Sequence, residues 1–442
     1  MLEPSTRPTL RATGAHAYAE PGVTVRPRLR RRRVVTIVLV LLLVVILGAS
    51  GLIIGYRSAL RLPLFNANGQ RQNGPAAGPP IVGHVYFESS GQVSLQSDAG
   101  IADQVQLDFS QLAPPPPGQR YYAWLVTGSI EGKAILLGSL SVSHGKATLW
   151  YPGDAQHTNL LATVNRFLIT EEGAMASPPV VPTPDRAAWR YAASFSQAPN
   201  PAENPPYSLL DHLHHLLSSD PILDDPGIGL YGGLDIWLFR DGQKILEWAG
   251  SARDAWGKGP AQDALIHRQL VRVLEYLDGW RYALQELPPG TPLLVDSRIA
   301  LVAMREQTVN QEPPGLLYHV GQHLTGVAEA PAASQDQRRL AAQQALALAR
   351  VSGLYDQVRR EALALVTLSP DQLEQPAQLA RLELLATQAR DAFSGTEDPV
   401  TGQVVDGITQ IHYAMSNLAT MDVVPVACPT GNLPPAQASL CL

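Results

Sequence analysis

Cysteine is almost absent from this chain: two residues in 442, Cys428 and Cys441, both within the last fifteen positions. That excludes a cysteine-rich zinc ribbon and a small fold held by a disulfide framework. In an exported segment the pair would close one Pro-rich tail loop, worth ~3 kcal/mol on loop entropy. Lysine is scarce beside arginine, charged residues make up 16% of the chain, and the net charge is -6. The basic residues gather near the N-terminus, so the remainder carries no nucleic-acid footprint. Catalytic signatures are lacking as well. There is no Gly-x-Ser-x-Gly, no P-loop and no His-Glu-x-x-His, so neither an enzyme nor a bound cofactor is expected.

What is present first is a long apolar run, Val34 to Ile54, preceded by Arg30, Arg31, Arg32 and Arg33. At 1.5 Å per residue the run is about 31 Å long as a helix, which matches a bilayer core. Eight arginines precede it, and only Arg57 and Arg61 follow closely. The positive-inside rule then predicts a single-pass plasma-membrane protein. Residues 1–33 would be a disordered cytoplasmic tail, 34–56 the transmembrane helix, and the rest extracytoplasmic. A cleaved signal peptide is the rival reading, with small residues at Leu47-Gly48-Ala49-Ser50-Gly51 and the same export of the C-terminal part.

Residues 57–80 read as a linker rich in Gly, Asn, Gln and Pro. Short alternating strands follow at Val82–Glu88, Gln104–Phe109, Arg120–Thr127, Ile135–Val142, Lys146–Trp150 and Arg166–Thr170. His144-Gly145 is a good turn between two of them. A small antiparallel β-sandwich over 81–180 is expected. Residues 181–206 read as a Pro-rich linker. Helical periodicity then takes over, with stripes at Ile266, Leu270, Val273, Leu277, Trp280 and Leu284, at Leu340, Ala347, Val351, Leu354, Val358 and Leu365, and at Leu382, Ala386, Ala389 and Phe393. Ser334-x-x-Gln337 and Ser369-Pro370-x-Gln372 are capping-box starts. An all-α bundle domain over 207–424 and a tail over 425–442 complete a multidomain reading: transmembrane helix, β-sandwich, helical bundle.

Leu112-Ala-Pro-Pro-Pro-Pro-Gly118-Gln-Arg-Tyr-Tyr122-Ala-Trp124-Leu resembles the signature of the anti-sigma-K factor (RskA-like) C-terminal domain. Leu137-Gly138-Ser-Leu, Gly145-Lys-Ala-Thr-Leu and Phe167-Leu-Ile-Thr170-Glu171-Glu172-Gly173 continue the order over roughly residues 81–180. The resemblance implies an envelope protein that binds or senses something outside and regulates a sigma factor through a protein partner. It departs from the family inside the membrane. The 33 residues before the apolar run contain His16 and no cysteine, so the usual cytoplasmic zinc-binding anti-sigma domain is missing.

Histidine clusters open a second reading. His212 and His215 are spaced i,i+3 and His319 and His323 i,i+4, so each pair occupies one helical face. If the faces meet, four imidazoles can bind a transition metal or ligate haem. A purely structural scaffold is the third reading. Gly227-x-Gly229-x-x-Gly232 matches a dinucleotide-binding expression but follows a Pro-bounded loop rather than a strand. Asp224-Asp225 and Glu397-Asp398 lack the ligand series of a calcium loop. Tyr231, Trp237, Trp248 and Trp256 read as core aromatics.

Overall fold

Alternating apolar side chains set the first strands. In β1 (Gly83–Glu88) Val85 and Phe87 point inward, and in β2 (Gln104–Phe109) Val105, Leu107 and Phe109 do the same. The computed structural model describes residues 79–426 except 95, 129–132, 176 and 309. Strands β3 (Gln119–Thr127), β4 (Ala134–Leu140), β5 (Ala147–Tyr151), β6 (Val164–Gly173) and β7 (Trp189–Ser194) follow. After the helices come β8 (Thr396–Glu397), β9 (Val404–Val405) and β10 (Thr420–Pro425). β8 and β9 form a small ribbon of their own.

The other eight strands form one antiparallel sheet in the order β4-β3-β6-β7-β10-β1-β2-β5. Its two end strands are consecutive in sequence, joined by a turn in which His144 and Gly145 take φ of 52° and 76°. A Cβ on Gly138 in β4 would stand 3.0 Å from Leu149 in β5, so the ends nearly meet and the sheet curls into a near-barrel.

This corrects the expected separation into a sandwich and an independent helical bundle. β10, which follows every helix, lies between β7 and β1, with Val424 opposite Ala192 and Gly83 opposite Val423. The helices are therefore an insertion between two adjacent strands of one sheet. One hydrophobic cluster runs from Phe109 and Phe167 in the barrel to Leu270 and Tyr355 in the helices. β3 is buried on both faces: Tyr121, Ala123 and Leu125 join that core, while Tyr122, Trp124 and Val126 join an outer cluster with Leu168 and Trp189. The stretch read as a Pro-rich linker carries β7.

Among the described residues the insertion holds eight α-helices: α1 (Leu209–Leu217), α2 (Leu234–Ala255), α3 (Pro260–Glu286), α4 (Leu316–Glu329), α5 (Gln335–Val366), α6 (Pro370–Leu373), α7 (Pro376–Ser394) and α8 (Ile408–Ser416). The expected capping box at Ser334 with Gln337 forms in full, while at Ser369 the Gln372 side chain accepts from the Ser369 N–H but the Ser369 hydroxyl caps nothing. A further box, Ser208 with Asp211, starts α1. The α3 stripe is interrupted at Gly279, whose φ of 69° kinks the helix. Ile266, Leu270, Val273 and Leu277 are buried before the kink, whereas Trp280 and Leu284 beyond it are exposed. The kink leaves Asp278 fully buried between the guanidinium groups of Arg305 and Arg359, at 3.1 and 2.7 Å.

Among the described residues no helix is long and apolar enough to cross a membrane. The expected span 34–56, Arg30 to Arg33, and both Cys428 and Cys441 lie outside the described residues.

Candidate metal centre

α1 and α4 pack against each other and bring their histidine faces together. His215 Nδ1 lies 3.0 Å from His323 Nε2, and His323 Nε2 lies 3.3 Å from His319 Nε2. The turn after α1 adds a fourth donor. Asp220 Oδ2 stands 3.4 Å from His215 Nδ1 and 3.6 Å from His319 Nε2. One ligand atom from each of His215, Asp220, His319 and His323 falls within 4.8 Å of all the others.

These spacings have a simple meaning. Zinc bonds of about 2.0–2.1 Å in a tetrahedron set the donors about 3.3–3.4 Å apart. The four contacts of 3.0, 3.3, 3.4 and 3.6 Å bracket that edge length. Asp220 is held so that one oxygen alone can take part. Its Oδ1 accepts from the backbone N–H groups of Ile222 and Leu223 at 3.0 and 3.1 Å. Its Oδ2 is buried and makes no hydrogen bond. An unpaired carboxylate oxygen in a buried site costs more than the 1–3 kcal/mol of a neutral polar atom, and a cation among the same donors removes that cost.

The centre lies inside the protein. The side chain of Asp220 is fully buried, and those of His319 and His215 are 7% and 12% exposed. Burial, reinforced by the neighbouring imidazoles, lowers the pKa of His215 and of His319 to about 4 and pushes His323 lower still. All three are therefore neutral at pH 7, the form whose lone pairs bind metals. Burial raises Asp220 to about 6, in part offset by its two backbone donors.

No family model matches the chain. No curated protein and no solved structure matches it either.

His212, expected to be a ligand, lies behind the centre instead. Its Nδ1 is 3.0 Å from His323 Nδ1, and its Nε2 is 3.0 Å from Glu203 Oε2. Glu203 is itself fixed by Asn200, whose Nδ2 donates to Oε1 at 3.0 Å. The ring of Tyr207 packs against His212, His215 and His323, with centroid distances of 5.5, 5.1 and 5.8 Å. Gly326 on α4 makes room for His212, because a Cβ there would overlap the imidazole. His214, on the opposite side of α1, takes no part.

The pattern therefore located three of the four donors and missed Asp220, Glu203, Asn200 and Tyr207. Asp220 sits before Pro221 in a turn, outside any helical spacing, and its only sequence signal is an acid just past a His-bearing helix. Asn200 and Glu203 lie in the Pro-rich stretch, and Tyr207 directly follows it. Donor atoms this close together enclose a single ion and leave no room for a haem ring. The remaining motifs lie apart from these four donors. Gly227 to Gly232 is a loop, Asp225 Oδ1 accepts from Gly227 N–H, and Asp398 Oδ1 accepts from the N–H groups of Val400 and Thr401. Trp237 is core, donating to Tyr231 O, while Tyr231 itself is exposed.

Proposed function

We propose that this protein is a metal-binding module whose four-donor centre takes one divalent transition ion, with zinc the best fit. The orphaned Oδ2 of Asp220 carries the reading. A network of neutral histidines alone can satisfy the imidazole nitrogens pairwise, but it leaves a buried carboxylate oxygen with no partner. Three imidazoles and one monodentate carboxylate form a borderline donor set suited to zinc, four of the six donor separations lie near the edge of a zinc tetrahedron, and the other two are within 4.8 Å.

The role that follows is structural or regulatory rather than catalytic. Hydrolytic zinc sites have three protein donors and an open position, whereas this set has four. Occupancy would tie α1 and its following turn to α4, and so couple metal supply to the packing of the helical insertion. The test is metal analysis of the purified full chain, followed by zinc titration after chelation. One zinc per chain, lost on His319→Ala and on Asp220→Ala, is expected. A chain that stays metal-free after zinc exposure refutes the proposal.

A further inference from the structure

We infer that Glu203 and His212 are positioning residues of the metal centre, forming a relay that presents the bare Nε2 of His323 to the ion. The inference rests on the metal reading above. Its basis is the donor and acceptor count along one chain of contacts: Asn200 to Glu203, Glu203 to His212, and His212 to His323.

A carboxylate can only accept hydrogen bonds. Glu203 Oε2 at 3.0 Å therefore requires the proton of neutral His212 to sit on Nε2, which leaves Nδ1 as an acceptor. The atom facing that acceptor at 3.0 Å is His323 Nδ1, which must then be the N–H of His323. The proton of neutral His323 is thereby placed away from the centre, and its Nε2 keeps a lone pair directed at the donors of His215 and His319. The opposite arrangement fails at both ends. It would set a bare His212 nitrogen against a carboxylate oxygen and put an N–H of His323 among the metal donors.

The surroundings hold this relay in place. His212 is 3% exposed, and its ring fits only because residue 326 is glycine. Glu203 is oriented from behind by the Asn200 side chain, and its own N–H donates to Asn200 O at 3.2 Å. Partners of this kind fix the tautomer of a ligating histidine and raise its basicity, and their loss typically weakens metal binding 10–100-fold.

The experiment compares the full chain with Glu203→Ala, His212→Leu and His212→Asn. Zinc affinity is read by chelator competition, and the visible spectrum is read on the cobalt(II)-loaded proteins. The Asn carboxamide oxygen occupies roughly the place of Nδ1 and keeps an acceptor for His323, whereas Leu removes it. Expected are one metal per chain throughout, an affinity loss of roughly 10–100-fold with an altered cobalt spectrum in Glu203→Ala and His212→Leu, and substantial rescue in His212→Asn. Wild-type affinity and spectrum in both Glu203→Ala and His212→Leu overturn the relay while leaving the metal centre intact. Equal losses in His212→Leu and His212→Asn overturn it too. A wild-type chain that takes up neither zinc nor cobalt overturns the centre itself. Glu203 is partly exposed, so its truncation keeps the test valid if the His212 variants fail to fold.

Discussion

Gly326→Ala should be the most damaging single-methyl change in α4. The added Cβ overlaps the His212 imidazole, which is buried and bonded at both ring nitrogens. The ring must shift, and two buried hydrogen bonds are broken or distorted at about 1–3 kcal/mol each. The helix itself gains from replacing glycine by alanine, by about 0.8–1 kcal/mol. The net is a loss of roughly 2 kcal/mol. Gly321→Ala on the same helix is the control, because its Cβ would meet only Leu348 Cδ2 at an ordinary 3.6 Å. That variant should gain up to about 1 kcal/mol. Urea unfolding of the two variants beside the wild type reads both numbers, and zinc competition should show a weakened centre in Gly326→Ala alone. If the two glycine variants unfold at the same urea concentration and bind zinc equally, His212 does not rest on Gly326 and the geometry of the centre is wrong.

Other changes separate stability from binding. Asp220→Asn keeps an oxygen for the Ile222 and Leu223 N–H groups but removes a buried charge. It should stabilise the metal-free chain by about 1–3 kcal/mol at pH 7 while abolishing tight zinc binding. Unfolding with and without zinc checks both signs, and a variant that still binds as tightly as wild type argues against carboxylate ligation. Zinc at a hundred times its dissociation constant should add about 2.7 kcal/mol to the wild type and nothing to His319→Ala, measured by calorimetry. Glu275 is fully buried, and burial lifts its pKa to about 7 although Leu294 and Val295 N–H groups pull it down. The native state thus holds this proton more tightly than the unfolded chain. Stability from Glu275 is complete below about pH 4.5, falls as pH rises towards 7, and is level above, a change of about 3 kcal/mol. Glu275→Gln should flatten that slope relative to wild type, and an unchanged pH profile would count against a buried, protonated Glu275.

The parts of this fold that repeat locally could be read directly. Period-two alternation marks β1 and β2, the helical stripes mark α5 and α7, and the Ser-x-x-Gln starts mark α5 and α6, because a few neighbouring side chains decide each element. What escaped depends on residues far apart in the chain. β7 is hidden among prolines. β10 is six residues long and pairs with a strand more than three hundred positions earlier, so nothing local announces it. The six strands legible in the sequence, without β7 and β10, look like two small sheets, which is why a sandwich was expected. The centre divides in the same way. Helical spacing brought His215, His319 and His323 to notice, but it ranked His212 as their equal. Only the packing of α1 on α4 distinguishes a ring aimed at the donors from one aimed at a glutamate.

The place of β10 also sets an order of events. As the chain leaves the ribosome, β1 to β7 appear first, yet the strand that joins β7 to β1 is made only after all eight helices. Until then the two half-sheets, β4-β3-β6-β7 and β1-β2-β5, expose the edges that β10 will cover. Such unpaired edges invite pairing with other chains. The newborn protein therefore cannot complete its barrel in step with synthesis. It depends on late closure, over a separation that makes closure slow, and any truncation before Thr420 leaves both half-sheets permanently open.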